Sequence, residues 1–336
     1  MNAAAAGSGN LWLPALICGL LLAFSPVQDT PPTSAQDHPP AAARDNPPPP
    51  AQDTGEEFTI HSNVDRVLLD VSVKDAKGGF VSGLDKAAFR VLENGKPQQI
   101  TEFTSGDVPV TVGILLDQSG SMRSKQTEVL TAALSFAKES NPSDEMFVVR
   151  FNEKAELALP ADVPFTDSMN ILRTALLSGT PQGRTALYDA VVLGLEHLEL
   201  GRQAKKTLVL ISDGGDNDSK HRLAEVMRLT EETSATIYTV GVFEPDDPDR
   251  NPGLLRRLAQ ISGGIAYFPA KLNDVVPTCE GIARDIRNRY SLAYIPQSGP
   301  QAIRHISVQV HEAGHVRLIS RTRTSYLYTS GAEAKK

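Results

Sequence analysis

Two observations set the predicted fold class. Through the middle of the chain, apolar strand-like runs alternate with segments of helical spacing, which predicts an α/β unit with a doubly wound, mostly parallel sheet. On either side of it the hydrophobic pattern switches to period two, which predicts a small antiparallel β-sandwich formed by the N- and C-terminal segments, with the α/β unit inserted between them. The length of 336 residues, with 40% hydrophobic and 22% charged, supplies enough core for both.

The elements follow in chain order. The apolar run Leu11–Phe24 is short for a membrane span and is interrupted by Pro14, so residues 1–25 read as a signal peptide or N-terminal anchor, with Ala23-Phe24-Ser25 as a small-x-small cleavage site. The first basic residue is Arg44, a departure from the basic leader of a signal peptide, and Cys18 lacks the small residues that a lipoprotein site would place before it. The expected location is extracytoplasmic, periplasmic or secreted, with membrane contact only through that N-terminal segment. Residues 26–56 hold nine of the 23 prolines and almost no aliphatic side chain, a composition that cannot offset the entropy of ordering and so predicts a disordered linker.

Residues 57–107 form the first part of the sandwich: Val67, Leu69, Val71 and Val73 alternate, Phe89 and Val91 continue, and Lys77-Gly78-Gly79 and Glu93-Asn94-Gly95-Lys96 are turn signals. Residues 290–329 form the second part, with Tyr290, Leu292 and Tyr294, then Ile306, Val308 and Val310, then Val316 and Leu318; residues 330–336 are a tail. Neither part has strands enough to close a two-layer core by itself, so one shared sandwich is the economical arrangement.

The inserted unit spans 108–289. Its expected strands are Val110–Leu116, Met146–Phe151, Leu208–Ile211, Ile237–Val242 and Ile265–Phe268. Its expected helices are Glu128–Glu139, Leu187–Leu198, Arg222–Thr233, Leu254–Ile261 and Val275–Ile286. Such sheets bind ligands beyond the carboxyl ends of the strands, where strand order reverses.

Three loops meet that rule. The first strand stops at Asp117 and is followed by Ser119, Gly120 and Ser121, one carboxylate and two hydroxyls spaced to turn toward one point. The third strand ends at Ser212-Asp213-Gly214-Gly215, and between them Pro181-Gln182-Gly183-Arg184-Thr185 leads into a helix and offers the Thr185 hydroxyl. Hard oxygen donors of this kind suit a small hard cation, and if Asp117 and Asp213 end adjacent strands all five can converge. The competing reading is a polar loop that caps the following helix.

The series Asp117-x-Ser119-x-Ser121, then Thr185, then Asp213 resembles the metal-ion-dependent adhesion site of the von Willebrand factor A domain, over roughly residues 109–288, and the flanking β segments resemble those of bacterial VWFA-related exported proteins. Arg-Thr-Ala-Leu occurs at 173–176 and at 184–187; Thr185, after a Pro-Gln-Gly loop and before Tyr188-Asp189-Ala190, matches the family motif, whereas Thr174 sits in a helical run. The resemblance implies a Rossmann-like fold and a divalent ion contacted directly by the three hydroxyls and through water by the two aspartates. Neutral inner ligands leave that ion short of negative charge, so a partner protein's Asp or Glu would complete the shell. Mg²⁺ ranks first, Mn²⁺ second and Ca²⁺ third.

Other signals are set against this reading. The balance of 33 basic and 40 acidic residues, net −7, excludes the electrostatic footprint of a nucleic-acid binder. His311-Glu312-Ala313-Gly314-His315 is nominally a zinc-hydrolase motif, but that chemistry needs a helix, and the period-two flanks predict a surface hairpin. Asp216, Asn217 and Asp218 are expected to form a polar loop rather than a second cation site, Arg184 is either a partner contact or a surface residue, and Cys279 is expected in the core. No phosphate loop or nucleophile elbow is present in the sequence, and the expected protein is not an enzyme. A scaffold whose metal is only structural is the alternative.

Overall fold

The computed structural model describes residues 66–244, 250–300, 302–314 and 317–329. The expected export segment, linker and tail lie outside the described residues, as does His315. Four strands come first, β1 (Val67–Asp75), β2 (Phe89–Glu93), β3 (Lys96–Gln98) and β4 (Ile100–Thr104). The Asn94-Gly95 turn between β2 and β3 has positive φ at both residues (48° and 79°), the two-residue turn whose twist suits a hairpin, and Glu93 pairs with Lys96 across it.

The α/β unit runs β5 (Val110–Asp117), α1 (Gln126–Glu139), β6 (Glu145–Phe151), β7 (Ala155–Leu157), α2 (Met169–Leu177), α3 (Leu187–Leu198), β8 (Lys205–Ser212), α4 (Leu223–Glu232), β9 (Thr236–Gly241), α5 (Pro252–Ser262), β10 (Ala266–Tyr267) and α6 (Val275–Arg287). The last strands are β11 (Tyr290–Tyr294), β12 (Ala302–Val310), β13 (Leu318–Arg321) and β14 (Ser325–Tyr328).

The central sheet has the order β10-β9-β8-β5-β6-β7, parallel except for β7. Every residue of β5 is buried, as expected of a strand covered on both faces. Leu116, Val148 and Val209 face the helix layer that holds Val129, Leu172 and Ile282; Leu115, Phe147 and Leu210 face the opposite layer with Val191, Val226 and Leu255. Each such side chain, fully buried, contributes about 1.5–3 kcal/mol. Cys279 is part of the first layer, and burial pushes its thiol up to about 12. Helix α5 shows the local logic well: Asn251 caps it by accepting from Leu254 N at 3.0 Å, Pro252 occupies the first turn, and Gly263 closes it in the left-handed region.

Both sandwich sheets are built from N- and C-terminal strands: the two sources alternate in β13-β1-β11-β4, and in β14-β12-β2-β3 they meet at the β12–β2 pair, so each sheet needs both segments. Their shared core holds Leu69, Val71, Phe89, Val91, Tyr290, Leu292, Val308 and Tyr328. Glu93 is buried inside it, accepting from Tyr294 Oη (2.7 Å), Tyr326 Oη (2.8 Å) and Arg304 Nη1 (2.9 Å).

One expectation is corrected. The chain around His311 is not a hairpin: β12 pairs with β14 and β2, whereas β13 pairs with β1 in the other sheet. The period-two pattern marked both strands correctly, but sequence alone does not say which strands share a sheet. Residues 311–314 cross between sheets without helical structure, so the helical face required by zinc-hydrolase chemistry is absent from the described part of the motif.

Candidate metal centre

Strands β5 and β8 are neighbours, and β6 lies on the far side of β5, so strand order reverses between β5 and β8. Asp117 is the last residue of β5 and Asp213 directly follows β8. Both carboxylates are buried, 2% and 1% exposed, as are Ser119 and Thr185, whereas Ser121 is exposed and marks the open side.

Each aspartate uses one oxygen to shape its own loop: Ser119 N donates to Asp117 Oδ1 (2.9 Å) and Gly215 N to Asp213 Oδ1 (3.1 Å). This is the turn-forming habit of aspartate at a strand end. The second oxygens face the other loops. Ser212 Oγ donates to Asp117 Oδ2 at 2.6 Å and Ser121 Oγ to Asp213 Oδ2 at 2.5 Å, while Ser119 Oγ and Ser121 Oγ are 3.1 Å apart. Asp117, Ser119, Ser121 and Asp213 are thus one hydrogen-bonded group.

Thr185 is brought alongside by its backbone. Gly120 N donates to Gly183 O (3.0 Å) and Gln182 N to Gln118 O (2.9 Å) on one side. On the other, Asn217 N and Asp218 N donate to Thr185 O, and Thr185 N donates to Asn217 Oδ1 at 2.9 Å. Gly183 is needed at its position because its φ is +73° and a Cβ there would stand 2.7 Å from Glu153 Oε1. Thr174, the other candidate, lies in α2 and donates to Asn170 O.

The loop after Asp213 acts as a brace. Asp216 Oδ1 accepts from Tyr188 N at the start of α3 (3.1 Å) and from Ser219 Oγ in its own loop, and Arg184 pairs with Asp218 at 3.0 Å. Arg184 is therefore engaged within the chain.

The electrostatics are uneven. Burial, and then the Asp213 carboxylate, push Asp117 up to about 7; hydrogen bonds from Ser119 and Ser212 only partly offset this. Lys125 is buried near the base of the group, with Nζ 4.0 Å from Asp213 Oδ2 and 3.0 Å from Val242 O. Ser212 and Lys125 escaped the reading of the sequence. Ser212 could have been found as the hydroxyl beside Asp213 at a strand end, and Lys125 as a cation at the start of α1, where the helix dipole disfavours one.

The five candidate residues carry two carboxylates and three hydroxyls, a hard-oxygen set of the kind that suits Mg²⁺ or Mn²⁺. Among the described residues no cluster of three or more His, Cys, Asp and Glu could hold a metal, so softer nitrogen or sulfur coordination finds no such group there.

Residues 112–215 match the family model of the von Willebrand factor type A domain, a stretch that contains all five candidate residues. No curated protein matches the chain. Among solved structures, the chain is similar to a von Willebrand factor type A protein from Catenulispora acidiphila, at 14% identity over 81% of this chain and 76% of that one, with a TM-score of 0.48. It is also similar to the manganese-loaded TRAP protein of Plasmodium vivax (15% identity, 70% and 97% covered, TM-score 0.42) and to the vWF domain of the type V pili tip protein Mfa5 of Porphyromonas gingivalis (12%, 55% and 96%, 0.44). No helix among the described residues is long and apolar enough to cross a membrane.

Proposed function

We propose that this chain is an extracytoplasmic protein-binding module of the adhesion type and not an enzyme. In this reading Asp117, Ser119, Ser121, Thr185 and Asp213 hold Mg²⁺, or Mn²⁺ in second place and Ca²⁺ in third, and an Asp or Glu of a partner protein completes the site. The bound cation supplies an electrophilic anchor for that carboxylate.

The observation that carries the reading is the pair of neighbouring buried aspartates, one of which is pushed up to about 7, beside three hydroxyl-bearing residues and an opening at Ser121. Two adjacent buried carboxylates are unfavourable until a cation arrives. The hydroxyls of Ser119, Ser121 and Thr185 add donors without adding charge, so the site keeps its appetite for an outside anion. The brace from Asp216, Asn217 and Asp218 keeps the Thr185 segment in place while the mouth stays open. The apolar run Leu11–Phe24 supports export, and the linker after it would hold the folded part away from a surface.

The test uses the immobilised protein and an envelope extract, with Mg²⁺ and with EDTA, for wild type and Asp117→Ala. Partner capture should require Mg²⁺ and be lost in the variant. Capture undiminished by the chelator removes the metal from the mechanism. Mg²⁺-dependent melting without a Mg²⁺-dependent partner leaves a structural metal only.

A further inference from the structure

Next to the metal loops lies a cavity that the five candidate residues do not use. Arg150 stands on β6 opposite Leu116 of β5, one position before the Asp117–Phe151 pair, so its backbone is one strand spacing, about 4.8 Å, from the strand that ends in Asp117. Its side chain lines a cavity of about 330 Å³ walled by Gln118, Glu153, Lys154, Glu156 and the 179–182 loop. Arg150 Nε is buried without a hydrogen-bond partner, and no carboxylate among the described residues lies within 4.0 Å of the guanidinium. A half-buried arginine whose Nε finds no acceptor among the described residues offers a planar fork of donors to an anion.

The surroundings keep it so. Gln118 is held by donating from Nε2 to Ser178 O at 2.9 Å, and its Oε1, the atom able to accept from a guanidinium, makes no hydrogen bond to Arg150. The loop passes over the guanidinium at Gly179, where φ is +88° and a Cβ would stand 2.7 Å from Arg150 Nη1 and 2.3 Å from Gln118 Oε1. Lys154 and Arg150 are balanced by Glu153 and Glu156, so the walls are formally neutral and favour a singly charged carboxylate over a doubly charged phosphate.

We infer that Arg150 is the receptor for a second carboxylate, and that the partner presents two acidic side chains, one for the metal loops and one for this cavity. The inference rests on the metal-dependent reading of the site and narrows its ligand to a paired-acid motif.

The test is a titration of the full chain in saturating Mg²⁺, followed by NMR chemical shifts. The probes are blocked glycine peptides carrying one Glu, or two Glu separated by zero to three glycines. The best two-Glu peptide should bind wild type about tenfold more tightly than the one-Glu peptide, the scale of one charge-assisted bond net of water. In Arg150→Gln that ratio should fall to about twofold, the statistical factor, with one-Glu binding unchanged. Should Arg150→Gln fail to fold, Arg150→Lys keeps the charge without the fork and should lower the ratio severalfold. A wild-type ratio of about twofold, or a ratio that survives both variants, overturns the role of Arg150 and leaves the metal reading standing. If no peptide binds in Mg²⁺, both fall. Inorganic phosphate that binds in an Arg150-dependent way and displaces the two-Glu peptide overturns the choice of a carboxylate.

Discussion

Two buried acidic centres in this molecule are built in opposite ways. At the junction between the α/β unit and the sandwich, Asp285 on α6 is met by Arg289 (Nη2 at 3.3 Å), by Ser72 Oγ of β1 (2.8 Å) and by the Tyr238 hydroxyl of β9. Burial alone would raise that carboxyl, but Arg289, then Tyr238, Ser72 and Lys74, hold it below the usual carboxylate range. Arg289 also donates to Gly263 O and Asp70 O, so the cation is itself fully engaged. At the rim of the sheet Asp117 has hydroxyls and an amide for neighbours and another carboxylate as its main charged influence, and it is pushed up instead. The carboxylate at the junction receives its counter-charge from the chain, whereas the one at the rim faces a second carboxylate and holds its proton up to about pH 7.

The contrast can be broken by substitution. Asp285→Ala leaves a buried arginine unpaired and should cost about 3–5 kcal/mol in urea unfolding, with or without Mg²⁺. Asp117→Asn should have the opposite sign in EDTA, neutral to about 2 kcal/mol stabilising, because it relieves a buried repulsion. If both substitutions destabilise equally, the rim is a structural network like the junction.

Metal sharpens the difference. Mg²⁺ at a hundred times its Kd should stabilise wild type by about 2.7 kcal/mol and leave Asp117→Asn where it was, as read by thermal melts. An equal shift in the variant places the ion elsewhere.

The two centres should also respond to pH with opposite signs. Asp117 is raised in the folded state, so in EDTA its contribution is present below about pH 4 and is lost as pH rises through about 7. Asp285 is lowered, so its contribution is present above the ordinary Asp value and is lost as acid protonates it in the fold. Unfolding curves of wild type and Asp117→Asn, compared between pH 4.5 and 7.5, should converge at the acid end. Curves that run parallel deny the raised carboxyl.

The smallest effect concerns Lys125, whose ammonium lies 4.0 Å from Asp213 and would compete with a divalent ion for the same field. Lys125→Met should tighten Mg²⁺ binding by up to about tenfold in calorimetric titration. Weaker binding would make Lys125 a support of the site instead.

Much of this was legible one element at a time. The full burial of β5 follows from its nearly continuous apolar run, the β2–β3 hairpin from Asn94-Gly95, and the end of α5 from Gly263. The choice of Thr185 over Thr174 followed from the loop before it. The short edge strand β7 escaped because three residues carry too little period to read, and the supposed hairpin at His311 failed because alternation marks a strand without naming its neighbour. The brace of Asp216, Asn217 and Asp218 read only as a polar loop, since a side chain's partner thirty residues away leaves no trace in spacing.

The sequence by itself determined which residues make strands, helices and turns, and which loops carry oxygen donors, because periodicity and turn chemistry act over a few residues. Only the tertiary structure decided that β5 and β8 lie side by side, that Ser212 grips Asp117 from 95 positions away, and that Arg150 Nε has no hydrogen-bond partner among the described residues. Those outcomes depend on distances through space between remote parts of the chain, and in a closely packed interior such distances are set by all the neighbours together.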